Sequence, residues 1–409
     1  MNLERNYILM KFDLSAPAVV LHSGLGGLTV VRSLGHFGVT VTCADSDLSG
    51  YAMKSKYCSE RLLLPDIEAD EDGVLKVLIQ YGKNQSIRPV LYPLTDQYVL
   101  FVAKFREQLE KYFIFNVAAY TTLERLVNKL GMFEISEEHN LPAPITKIPK
   151  SVEDLEAMVK DIGLPCLLKT AYSHSPLKNT KNFMTKVFSL DELKETYQRL
   201  SAIDPNLMIQ EYISGEDNNI HIFAGYFDSE SNPKLVFTGR KIRQAPMNYG
   251  AGSMCECLEN KALEKIMVDF CRSIKFKGNI DVGLKWDAAK GYCKVLDINP
   301  RLGMNHRTFI TEDKKLDLAR ILYLDMTQDL PEPLLPRLGR KWMIEDADLI
   351  IAPKYIKENR LTYKEWFSSY KGLEEVAFFS IRDWRPWLFI YGKRMEQVFY
   401  SLRNKLKIR

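Results

Sequence analysis

The chain has 409 residues, 46% of them hydrophobic and 26% charged, with a formal net charge of +4, enough apolar material for two or three globular units. The charge is too small, and its lysines and arginines too dispersed, to point to nucleic acid as a partner. No stretch reaches the roughly 18 apolar residues of a membrane span, and the acid-containing N-terminus has too short an apolar run for a secretion signal, so a cytoplasmic location is expected. The seven cysteines are odd in number and sit mostly in apolar runs, which reads as reduced thiols. Cys255 and Cys257 have no second Cys/His pair at metal-site spacing, so packing is their expected role.

In chain order, "PAVVLHSGLGGLTVVRSLGHFGVTVTCADSD" comes first. It predicts a strand over Ala18 to Leu21, a turn with Gly24, Gly26 and Gly27, a helix from about Leu28 to Phe37, and a second strand from Val39 to Ala44 that ends at Asp45. This is a βαβ start and implies a parallel sheet. The dinucleotide fingerprint is broken because Thr29 takes its third glycine position. Two readings of the glycines stand: a tight turn, or a turn that lets a substrate approach backbone amides. "RPVLYPLTDQYVLFVAKF" then predicts a strand, a polar turn at Thr95 and Asp96, and a helix; such turns beyond strand ends are where α/β sheets bind ligands.

The pattern changes from Thr121. An amphipathic helical stretch is broken by Pro142 and Pro144, and "SVEDLEAMVKDIGLPCLLKTAY" predicts a Ser-capped helix and a strand ending at Lys169. "SLDELKETYQRL" is another capped helix, and "NLMIQEYISGEDNNIHIFAGYFD" two strands about a polar turn. Later, "GNIDVGLKWD" and "GYCKVLDINPR" predict paired strands joined at Ala288 to Lys290. The second of these places Asp297, Asn299 and Arg301 at alternating positions, hence on one face.

Taken together, Asn128-Lys129 with "LPAP" downstream, "LPCLLK" ending at Lys169, "MIQEYISGED" and "LDINPRLG" resemble the ATP-grasp superfamily. The "SKY", "YPLTD" and paired-strand stretches look most like its carboxylate–amine ligases of the D-aspartate ligase group. The resemblance implies an α/β and α+β architecture: a Rossmann-like parallel sheet over residues 1–119, a small ATP-grasp lobe over 120–213, a large lobe over 214–338 and a C-terminal extension over 339–409. It implies an ATP-dependent ligase that forms an amide through an acyl phosphate, joining an amino acid to an amine. The alternatives are another ATP-grasp chemistry, such as a kinase or carboxylase, or a catalytically silent nucleotide-binding protein. A dehydrogenase leaves the C-terminal motifs unexplained.

By the same resemblance, Lys129 and Lys169 neutralise the phosphates of ATP, with Lys186 and Gln210 in the nucleotide site. Glu211, Tyr212 and Ile213 supply the adenine edge, and Asp217 or Glu216 reaches the ribose. Asp297 and Asn299 hold magnesium or manganese, and Arg301 steadies the transferring phosphoryl group. Relatives typically present a carboxylate where this chain aligns Gly283; Asp281 and Asp287 share its face by period-two counting and are the expected substitutes. Relatives also carry Glu where this chain has Asp297. The phosphate-covering loop, usually rich in glycine, reads "SHSPLKNTKNFMTK" here, without glycine but with Lys178, Lys181 and Lys186. Arg240, Lys241 and Arg243, ahead of the Gly250 to Gly252 loop, are expected at the acyl-phosphate or substrate carboxylate, with a solvated strand as the alternative. His22, His174, His221 and His306 show no nucleophile–base arrangement and are expected to be structural.

In the tail, Leu388, Tyr391, Met395, Val398 or Phe399, Leu402 and Leu406 recur at helical spacing after Trp384 and Trp387, among Lys393, Arg394, Arg403, Lys405, Lys407 and Arg409. Two readings stand: the stripe packs on the catalytic domain, or it makes peripheral contact with a membrane that presents a lipid-linked or cell-envelope precursor acceptor.

Overall fold

The computed structural model describes residues 12–171, 177, 184–313, 315–328, 330 and 334–395. His174, Lys178, Lys181 and the tail from residue 396, on which expectations above fall, lie outside the described residues. The first unit is a parallel sheet in the order Cys58–Leu63, Val41–Asp45, Ala18–Leu21, Val90–Pro93. Its first helix, Leu25–Phe37, begins three residues earlier than the sequence suggests because Gly24 is its N-cap. Gly26 and Gly27 therefore lie inside that helix, and a Cβ on Gly27 would come within 2.1 Å of the His22 carbonyl oxygen. Close helix–strand packing, rather than a loop open to ligand, explains that glycine.

The second unit is a small antiparallel sheet, Thr146–Lys147, Leu207–Glu211, Cys166–Thr170 and Met184–Val187 in that order. It is covered by helices Asp154–Ile162 and Leu190–Ser201, the second capped by Ser189, whose hydroxyl accepts from Glu192 N at 3.2 Å. The third is a seven-stranded sheet in the order Tyr292–Asn299, Gly278–Asp287, Ile220–Phe227, Pro233–Ala245, Ala251–Cys257, Lys341–Met343, Leu373–Val376. All its pairs are antiparallel except the last. Residues beyond 339 thus build one edge of the large sheet.

The cores follow a different division. Two apolar clusters each run from a face of the parallel sheet into the large sheet, one through Leu91, Phe223, Ile280 and Val295, the other through Val20, Tyr226, Phe237, Trp342 and Phe378. The small lobe has a cluster of its own, including Leu168, Leu193 and Ile209. One body of two sheets and one separately packed lobe result.

Candidate active site

A cleft of about 510 Å³ lies between the small lobe and the large sheet. From the small lobe come Lys169 next to the last residue of its strand, Met184 opposite it in register, and Gln210 on the adjoining strand. Lys129 reaches the cleft from the first turn of helix Lys129–Glu138, whose N-cap Asn128 accepts from Leu130 N at 2.9 Å. From the large sheet come Asp281, Gly283, Lys285, Asp297, Asn299 and Arg301.

Lys169 is only 5% exposed. Its Nζ donates to Gln210 Oε1 at 2.8 Å, and Gln210 Nε2 is fixed in turn by donating to Thr146 Oγ1 at 2.8 Å. An amide oxygen replaces less of the ammonium's hydration than a carboxylate would. Burial, with the Lys129 charge nearby, accordingly brings the Lys169 pKa down to about 7, against the pull of Asp297.

The metal strand contains a bulge. Gly283 pairs with Asp297 and Leu284 with Val295, so Leu296 is the extra residue. Val295 points into the core, and two residues later Asp297 lines the cleft. Without the bulge the two would share a face. The bulge brings Asp297 and Asn299 to the side where Asp281 waits. Asn299 Nδ2 donates to Asp297 Oδ2 at 3.0 Å, and Arg301 donates to Asn299 Oδ1 at 3.0 Å and to Asp96 Oδ1 of the parallel-sheet unit at 2.8 Å.

Two residues before Gly283, Asp281 lines the same cleft. Space around Gly283 is open, with nothing within 4 Å of where a Cβ would sit. Asp281 is half-buried, but its Oδ1 is shut off from solvent without a hydrogen-bond partner, and desolvation pushes its pKa up to about 6. Gly303 leaves it room: a Cβ there would meet Asp281 Cγ at 2.6 Å. An orphaned carboxylate oxygen beside a second carboxylate and a carboxamide is a hard-oxygen set suited to Mg²⁺ or Mn²⁺. Asp281, Asp297 and Asn299 would hold the ion.

Asp287 does not join this set. It lies six residues along the strand, about 20 Å away at 3.3 Å per residue, where Lys294 Nζ approaches it at 3.1 Å. Lys294 also holds Glu211 Oε1 at 2.5 Å, while Glu211 Oε2 accepts from Ile145 N at 3.1 Å. The Glu211 side chain is thus committed to the protein; Tyr212 and Ile213, just past the strand end, line the cleft. Lys186 Nζ sits 3.6 Å from the centroid of the Tyr212 ring, and Lys285 Nζ lies 5.6 Å from it. Asp217 is turned away from the cleft: it accepts from Asn248 N at 3.0 Å and from the Tyr355 hydroxyl, beside a second cavity of about 390 Å³.

Arg240 and Arg243 are not brought to the cleft either. Between Lys241, paired with Cys255, and Arg243, paired with Met254, the strand carries an extra residue, Ile242. Arg240 faces the second cavity and pairs with Glu256 at 2.9 Å, and Arg243 is buried against Asp348 at 2.7 Å. The cation at the cleft on this strand is Lys241, whose Nζ donates to Gln244 Oε1 at 3.0 Å and to Gly250 O at 3.2 Å. Gln244 Nε2, also at the cleft, is buried without a partner. Sequence reasoning named Lys241 together with the two arginines beside it, but missed Gln244 and Lys285. Period-two counting from Asp281 reaches Lys285; nothing local marks Gln244.

In the first unit the acid at the end of the second strand is already engaged. Asp45, which would hold a ribose, accepts from Ser23 N at 2.5 Å, Ser23 Oγ at 2.6 Å and Ser46 N at 2.7 Å. Its carboxylate is occupied by its own turn.

No family model matches the chain. It is 23% identical over 326 residues to the D-aspartate ligase of Enterococcus faecium, covering 73% of this chain and 77% of that one. N5-carboxyaminoimidazole synthetase from Staphylococcus aureus, solved with ADP, superposes with a TM-score of 0.62 at 15% identity, covering 81% of this chain and 82% of that one. The chain has the ATP-grasp fold. The L-amino acid ligase of Bacillus licheniformis shares it with a TM-score of 0.58 at 15% identity, over 78% of this chain and 76% of that one. No helix among the described residues is long and apolar enough to cross a membrane.

Proposed function

We propose that the protein is an ATP-dependent carboxylate–amine ligase that works through an acyl phosphate. The observation that carries this reading is the meeting of Lys169, Asp281, Asp297, Asn299 and Arg301 on one cleft between two separately packed bodies. Lys129 and Lys169 contact the phosphates of ATP; Lys169 gains its proton as the triphosphate arrives, because the anion restores the favourable surroundings that burial removed. Mg²⁺, when bound, draws charge from the phosphate oxygens. Arg301, held by Asp96 and Asn299, is oriented toward the transferring group. A substrate carboxylate oxygen attacks the γ-phosphorus and ADP leaves. The amine, once deprotonated, then attacks the acyl carbon, and phosphate leaves with the bonding electrons. Lys241 and the unpaired Gln244 Nε2 supply donors at the carboxylate end of the cleft.

The similarity to a D-aspartate ligase places acidic D-amino acids first among carboxylates to test. An acceptor amine on a lipid-linked precursor, with peripheral membrane contact, belongs to the same reading. The experiment is ADP release with Mg²⁺, screened over amino acids and amines. Release and amide product are expected only when both are present. Release with bicarbonate and an amine, or none with any pair, overturns the reading.

A further inference from the structure

Residues 385–395 are helical, and the helix is held at both ends. Ahead of it, Asp383 is buried and accepts from Arg32 Nε at 2.9 Å, Ser55 Oγ at 2.7 Å and Lys56 N at 2.9 Å, fastening the segment to the parallel-sheet unit. Near its end, Arg394 pairs with Asp346. Its inward side places Ile390 in the shared core, with Trp387 and Tyr391 packed against that cluster.

The outward side is also apolar. Ile381, Trp384, Leu388 and Met395 are 86%, 53%, 50% and 55% exposed, and their spacing puts them along one helical face and its approach. Arg382, Arg385 and Lys393 are exposed beside them, and the one acid between residues 377 and 395, Asp383, is buried. The nearest exposed acid on the flanking loop is Asp47, against which Lys54 and Lys393 are set. The chain then continues through residues 396–409, which carry Arg403, Lys405, Lys407 and Arg409 against Glu396.

We propose that this face docks on an anionic lipid bilayer. An apolar stripe with a cationic border, continued by a basic segment, matches an interface where acyl chains lie beneath negative headgroups. A second protein copy fits less well. A helix over 385–395 is about 16 Å long, and a stripe on it falls well short of the roughly 800 Å² per partner of a stable interface. The position suits the cleft as well. Lys54 Nζ lies 4.8 Å and Lys393 Nζ 4.5 Å from the Phe389 ring centroid, so the helix flanks the loop that follows strand Val41–Asp45. That loop leaves the C-terminal edge of the parallel sheet, the edge from which Asp96 reaches Arg301. The proposal deepens the ligase reading by naming the surface on which an amphiphilic acceptor is presented, but its test needs no ligase activity.

The test is co-sedimentation of the full chain with vesicles of phosphatidylcholine alone, or mixed in equal parts with phosphatidylglycerol. Binding is expected to the anionic vesicles only, and to be lost at about 1 M salt, where charges are screened beyond about 3 Å. Leu388→Glu and Trp384→Glu should reduce the bound fraction at least several-fold, while the thermal transition stays in place. Arg385→Glu with Lys393→Glu should do the same. Equal binding to both vesicles, no binding at low salt, or binding unchanged in Leu388→Glu overturns the proposal. So does a dimer in light scattering that Leu388→Glu dissolves. Stronger binding after deletion of residues 396–409 also overturns it, by showing the stripe covered by the chain's own tail.

Discussion

Two regions of this molecule bury charge, in opposite ways. Behind strand Pro233–Ala245, Arg243 meets Asp348 at 2.7 Å, and Ser253 Oγ donates to the same carboxylate at 3.1 Å. Nearby, Arg340 pairs with Glu374 at 2.8 Å and Glu375 at 2.7 Å, and Arg307 with Glu375 at 2.7 Å and with Asp317. In the cleft, Lys169 has an amide oxygen for a partner, Asp281 Oδ1 has none, and Gln244 Nε2 has none. Ion pairs complete within the chain hold the fold together. Polar atoms buried without a full complement cost stability; those that line the cleft can be completed by a ligand, whereas others, such as Trp342 Nε1 and Thr308 Oγ1, lie away from it.

The contrast can be broken most severely on the paired side. Arg243→Met leaves Asp348 buried without its cation and should cost about 3–5 kcal/mol, read as a lower denaturation midpoint at unchanged slope. Replacing both partners, Arg243→Met with Asp348→Leu, should recover most of that loss. On the cleft side of the same strand, Lys241→Met should move stability by no more than about 1 kcal/mol while lowering ATP turnover.

Asp297 is exposed, so Asp297→Asn should leave the thermal transition nearly unchanged. Magnesium-dependent ATP consumption should fall by about a hundredfold, since a metal-bound carboxylate supplies several kcal/mol of charge stabilisation. Asp281→Asn sharpens the comparison further. The folded carboxyl holds its proton up to about pH 6, so its contribution to stability is present below the ordinary carboxylate range and lost as pH rises through 6. At pH 8 the amide variant should therefore be more stable than the parent, on the order of 2 kcal/mol, yet less active. A buried charge that served only the fold would give the opposite sign.

The smallest effect concerns Lys169, which in the nucleotide-free protein gives up its proton near pH 7. The unfolded chain keeps that proton to much higher pH, so stability should rise with pH above 7 from this group. Nucleotide binding favours the ammonium and should take up close to one proton at pH 8. Affinity should weaken by up to about tenfold per pH unit above 7. Calorimetry in buffers of different ionisation heat measures the uptake, and Lys169→Met should abolish it.

Much of this site was legible in the sequence, and the exceptions have physical causes. Lys169 ends an apolar strand, and the alternation of Asp297, Asn299 and Arg301 is visible by eye. Both follow from periodicity, a local property. Asp287 looked equivalent to Asp281 because period-two counting assigns a face but says nothing of Lys294 across the hairpin. Asp217 is turned aside by Tyr355, more than a hundred residues away. Arg243 is turned from the cleft by one extra residue at Ile242, and no composition rule marks a bulge. The parallel sheet was read from its βαβ pattern, whereas the sharing of two cores between it and the large sheet depends on contacts at long range.

The bulge at Leu296 has a consequence for how sequences of this kind evolve. Because Leu296 is the extra residue between the Leu284–Val295 and Gly283–Asp297 pairs, a one-codon deletion there would leave both pairs in register, with Val295 in the core and Asp297 on the cleft side, and would remove only the local bend and twist that a bulge adds. Substitutions along this strand can be tolerated or rejected one at a time. A loss of one residue is absorbed at Leu296, the one position between those two pairs that has no partner across the ladder.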